Sequence, residues 1–179
     1  GQFGGLASLA GVNLGGASVD KSILAIEMMK SRQFINEFIR KHGILVSLVA
    51  AKGWNQSADT LILDSDMYDE KNKKWVRDVS PPKLAKPSDW EAYELFLKIF
   101  SVYQDKKTGL VSISVEHFSP ILAQNWTSAL VVDINEFIRL RDVTEAEKSI
   151  NYLSQQLENT SVADMRKVFS QLIEEQTKK

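Results

Sequence analysis

The side chains in this sequence that could organise acid–base or metal chemistry are two histidines and some clustered carboxylates, since cysteine is absent. Without cysteine there is no disulfide, thiolate nucleophile, thiolate-bound zinc or iron–sulfur cluster. A nucleophile needs a base beside it. His42 precedes Gly43 at the end of a helical apolar pattern, and His117 lies just before Pro120 at the start of another. Neither belongs to a nucleophile elbow, a metal pair or a phosphate motif, so both read as structural. Asp64, Asp66, Asp69 and Glu70 suggest a calcium loop. The spacing fails, because the fifth position would be Tyr68, the sixth Asp69 in place of Gly, and the twelfth Trp75 in place of Glu. A solvated loop is the better reading. Glycan hydrolysis by Glu91 and Glu116 would require both carboxylates in one pocket about 5–10 Å apart, and nothing in the sequence brings them together. Asn-x-Ser/Thr triplets at Asn55, Asn125 and Asn159 read as chance, Asn125 falling within a helical stretch. No catalytic residue, cofactor site or metal site is expected.

The chain has 179 residues, 44% of them hydrophobic and 25% charged, with 22 basic against 23 acidic side chains. That length suits one domain or a domain with an extension, and the composition excludes a wholly disordered chain. Near-zero net charge provides no electrostatic footprint for nucleic acid. No apolar run approaches the roughly 18 residues of a membrane-spanning helix. The first residues resemble no signal peptide and no initiating Met is present, so the chain reads as a fragment or processed product. A cysteine-free chain suits the periplasm and the cytoplasm equally.

These residues must be positioned by a modest set of elements. Gly1, Gly4, Gly5, Gly11, Gly15 and Gly16 open the chain with no charge before Asp20, as either a mobile tail or a segment packing on a neighbouring chain or near a membrane. The Gly15-Gly16-Ala17 sequence lacks the ending of a phosphate loop. Ile23, Ile26, Phe34, Ile35, Phe38 and Ile39 predict a helix over 22–42, with Asp20 as its cap and Gly43 as its stop. The run 44–51 is too short to separate strand from helix, and 61–63 looks like a short strand. Tyr68 and Trp75 flank a polar turn between two short extended pieces. Ser88 and Glu91 have capping-box spacing for a helix to about Phe100. Strands at 102–104 and 110–118 surround a loop in which Gly109 takes the left-handed position.

After Pro120 neither Pro nor Gly appears through Lys179. A helix over 120–158 would be about 60 Å long, more than the width of a small domain. From Val143 through Ala146, Ile150 and Leu153 to Leu157 the apolar steps are three and four, a narrow seam that fits another helix better than the helix's own domain. Those five residues are the expected self-association site. A break near 159–161, with Asp164 in the fresh cap, precedes a second amphipathic piece of Val162, Met165, Val168, Phe169, Leu172 and Ile173. This helix reads as continuing past Lys179 in a parent protein, because no stop signal is present. The expected fold class is α+β, a small α/β base over 1–118 and a long helical, coiled-coil-like arm over 119–179.

In their order along the chain, several segments resemble a bacterial family, the Wzz-type chain length determinants or polysaccharide co-polymerases. They are Gly4-Gly5-Leu6-Ala7-Ser8-Leu9-Ala10-Gly11, Lys30-Ser31-Arg32-Gln33-Phe34, Tyr68-Asp69 through Trp75-Val76-Arg77, and Pro87-Ser88 through Glu91-Ala92-Tyr93. Asp105-Lys106-Lys107-Thr108-Gly109-Leu110-Val111, Glu116-His117-Phe118-Ser119-Pro120 and Glu158-Asn159-Thr160-Ser161 through Gln171-Leu172-Ile173-Glu174-Glu175-Gln176-Thr177 continue the series. The resemblance implies the periplasmic part of an inner-membrane protein, flanked by membrane helices that this sequence lacks. It implies a base near the membrane, a ring-shaped homo-oligomer and no enzymatic activity. The implied role is to set the length of O-antigen or a related lipopolysaccharide chain beside the O-antigen polymerase, with the polysaccharide itself a possible partner. A coiled-coil adaptor or transporter-associated structural protein of the envelope is the rival reading.

Overall fold

The computed structural model describes residues 21–159 and 163–178. The glycine-rich opening, the Asp20 cap, Thr160 and Ser161 of the expected break, and Val162 lie outside the described residues. The described elements are α1 (Lys21–Lys30), α2 (Arg32–Lys41), α3 (Leu45–Val49), β1 (Ala51–Asn55), β2 (Thr60–Leu63), β3 (Tyr68–Asp69), β4 (Lys74–Trp75), α4 (Asp89–Ile99), β5 (Phe100–Gln104), β6 (Val111–Val115), α5 (Pro120–Asn159) and α6 (Ala163–Thr177). The class is α+β, with helices carrying most of the fold. The three ladders are separate antiparallel pairs.

The helix expected over 22–42 is two helices. Ser31 is extended, and its side chain accepts from the Phe34 N–H at 3.3 Å, so it caps α2 while ending α1. The apolar period passes through this junction unbroken, which hides the break. His42 closes α2, and Gly43 follows at φ 61°, a left-handed stop that glycine adopts without steric cost. The ambiguous run beyond it is both things in turn, the short helix α3 and then strand β1.

The first unit's core forms where α2 meets α4. Phe34, Ile35, Phe38 and Ile39 bury one stripe of α2, and Ala92 and Phe96 face inward from α4. The Phe38 and Phe96 rings pack at 5.6 Å and the Phe96 and Phe100 rings at 5.5 Å, carrying the core from helix to strand β5. Helix α4 starts at the expected capping box: Ser88 accepts from the Glu91 N–H at 3.2 Å, and Glu91 accepts from the Ser88 N–H at 2.9 Å. Strands β5 and β6 pair from Phe100↔Val115 to Gln104↔Val111, and Gly109 turns their loop at φ 72°.

The chain divides into two compact units between Val131 and Val132, within α5 and not at 118–119. The opening turns of α5 belong to the first unit because they are anchored there: Trp126 is buried against His117, with ring centroids 4.8 Å apart. In the second unit Leu153, Phe169 and Leu172 form a buried cluster, closed by Leu157, Met165, Val168 and Ile173. With only residues 160–162 between them, α5 and α6 therefore form a helical hairpin.

Candidate assembly surface

Helix α5 is 40 residues long, about 60 Å at 1.5 Å per residue. Its start is held by local polar chemistry. Ser119 accepts from the Leu122 N–H at 3.2 Å, and His117 Nδ1 accepts from the Ser119 N–H at 3.1 Å. A ring nitrogen that accepts leaves the proton on the other, so Nε2 donates to the Ser47 carbonyl at 3.0 Å. Both nitrogens are thereby engaged, and His117 ties the α5 entry to the end of α3.

The five seam residues separate into two groups. Leu153 is 2% exposed inside the hairpin cluster and Leu157 packs against it, so their cover is α6 of the same chain and not another copy. The seam expectation set these two against another copy, whereas α6 of the same chain packs on them. The reason is physical: α6 presents its own stripe of Met165, Val168, Phe169, Leu172 and Ile173 at an effective concentration no second molecule matches. Ala146 and Ile150 are half-buried and Val143 is 46% exposed. Val143 shares one side of α5 with Val132 and Leu140, both exposed, at spacings of eight and three residues. Arg141 pairs with Asp142 at 2.8 Å and approaches Glu145, one helical turn on, at 3.8 Å.

The carboxylates serve the backbone. Glu91 accepts from Arg77 at 3.0 Å, and this bond, with the Ser88 backbone N–H, lowers its pKa from the ordinary 4.5 to about 2. A glycosidase acid needs the opposite shift. Asp69 accepts from the side chain and N–H of Asn72, and Asp105 from the N–H groups of Lys107 and Thr108, so each closes a turn with its pKa lowered by those bonds. Among the described residues no three His, Asp or Glu side chains gather to hold a metal ion. Arg77 is the polar residue that the sequence reading left without a role. Its guanidinium also donates to the carbonyls of Leu84 and Ala85, closing the loop that precedes α4. Only chain folding reveals that, since Arg77 and Glu91 are 14 residues apart. Comparison of the chain with protein-family models, curated proteins and solved structures finds no match.

Proposed function

We propose that this chain is an oligomeric periplasmic scaffold of the bacterial inner membrane that regulates the length of a surface polysaccharide, O-antigen or related lipopolysaccharide, beside its polymerase. The reading begins from the ordered resemblance to the chain length determinants. The observation that carries it is the apolar side of α5 at Val132, Leu140 and Val143, left at the surface although α6 already covers Leu153 and Leu157. A long helix whose apolar stripe is covered by its own hairpin at Leu153 and Leu157 and runs on uncovered at Val143, Leu140 and Val132 suits side-by-side packing of copies, the coiled-coil-like arm of this proposal. A scaffold of this kind acts through its dimensions and spacing and asks no catalytic residue of the chain.

The test is genetic. Disrupting the gene in its parent bacterium and resolving the surface polysaccharide on a gel gives a ladder that loses its preferred length and regains it on complementation. A ladder unaltered by the disruption overturns the proposal and favours an envelope adaptor.

A further inference from the structure

A groove of about 670 Å3 lies between α2 and the start of α4, bordered by Arg32, Asn36 and Arg40 on one side and by Ser88, Asp89 and Trp90 on the other. Arg32, Asn36 and Arg40 recur at every fourth residue, so they form one stripe about 12 Å from first to last. That is the reach of about two linked sugar rings.

Its polar groups are unevenly matched. At one end Arg40 already faces Asp89, with Nη2 3.7 Å from Oδ2. At the other end Arg32 stands over the Trp90 ring, its Cζ 5.9 Å from the centroid, with no carboxylate partner among the described residues. A cation–π contact at this distance uses none of the guanidinium N–H groups, which are left for hydrogen bonds. Between the two, Asn36 is 8% exposed and its Oδ1 has no hydrogen-bond partner. Folded proteins rarely leave a buried acceptor in that state. The terminal torsion of Asn is soft, so the amide can turn this acceptor toward a donor in the groove. Trp90 is half exposed, with Tyr93 beside it at 5.8 Å between ring centroids.

We propose that this groove binds a short stretch of an acidic saccharide. A uronate-type carboxylate pairs with Arg32, a pyranose ring lies against Trp90, and sugar hydroxyls reach Asn36 and Asp89. The uncompensated cation at Arg32 selects an anionic sugar over a neutral one. The aromatic surface has no use for inorganic phosphate. An acidic peptide is disfavoured because both walls are helices, which offer no strand edge for an extended chain to pair with. The proposal stands on the groove alone; joined to the chain-length reading, it names what the scaffold would touch.

The experiment is a titration of the full chain followed by 1H–15N spectra, with the Trp90 indole signal assigned through Trp90→Phe. The probes are a glucuronate-containing and a galacturonate-containing tetrasaccharide, maltotetraose, tetraglutamate and inorganic phosphate, each to about 10 mM at matched ionic strength. One or both uronate oligosaccharides shift the indole saturably, at least about fivefold more tightly than maltotetraose, and Arg32→Gln weakens that binding about tenfold. Arg32 is a surface residue, and an unchanged circular dichroism spectrum shows that the variant is folded. The proposal is overturned if neither uronate gives a saturable shift, if tetraglutamate or phosphate binds as tightly, or if Arg32→Gln leaves the affinity unchanged. Uronate binding alongside an unaltered polysaccharide ladder supports the groove and ends the chain-length reading alone.

Discussion

Truncating Leu153 to alanine tests whether the end of α5 is covered from within the chain. Leu153 is 2% exposed and central to a cluster with Phe169 and Leu172. Alanine is the best helix former, so α5 itself keeps its backbone and the loss is confined to packing. Leucine-to-alanine changes at such positions cost about 2–5 kcal/mol, the spread reflecting how far the site collapses. Here one wall is the single helix α6, so partial collapse argues for the lower half, about 3 kcal/mol. At about 1.4 kcal/mol per tenfold, that raises the opening equilibrium of the hairpin on the order of a hundredfold. Native-state hydrogen exchange reads this directly, since local opening is reported amide by amide. Amides of 168–173 in α6 should lose about a hundredfold of protection, while those of 95–99 in α4 keep theirs. Unchanged protection in α6 would show that Leu153 is not covered as described, and equal losses in α4 would show that the two units do not open separately.

Other perturbations follow from the same contacts. Val143→Asp with Leu140→Asp, both at exposed positions, should leave the circular dichroism spectrum unchanged and lower the mass of any self-assembled form in light scattering; equal masses refute the outward apolar face as an assembly surface. Glu91 has its pKa depressed to about 2, so its ion pair contributes fully above about pH 4.5 and is lost as the pH falls toward 2. Glu91→Gln retains capping-box chemistry but removes the charge, and its urea stability should fall short of the parent's by no more than about 3 kcal/mol near pH 6 and converge with it near pH 2. His117→Leu removes the proton donor to Ser47 and the acceptor for Ser119, both part-buried bonds, and should cost about 1–3 kcal/mol in urea unfolding of the first unit. A smaller loss than the lower figure would mean that water replaces the ring.

Local signals were readable wherever one residue type has one structural use. The Ser88–Glu91 box, the left-handed glycines 43 and 109, the Tyr68–Trp75 hairpin and the start of α5 at Pro120 all lie where the spacing put them. The Ser31 junction was missed although its residue type is a good cap, because apolar periodicity on both sides outweighs one polar residue in any window. The split of 44–51 into α3 and β1 was unreadable for a different reason. A short apolar run satisfies both periods, and pairing of Ala51 with Leu63 decides where the helix stops.

The sequence by itself determined the Ser88–Glu91 cap, the glycine positions at 43 and 109 and the start of α5 at Pro120, because these depend on neighbours within one or two turns. Tertiary structure decided which stripes meet. It placed α6 over Leu153 and Leu157, joined Arg77 to Glu91, carried His117 to Ser47, and set Trp90 against Arg32 near the unpartnered Oδ1 of Asn36. A hydrophobic stripe states that it must be buried but carries no address, since the hydrophobic effect is non-directional. Only the closure of particular loops selects the surface that buries it.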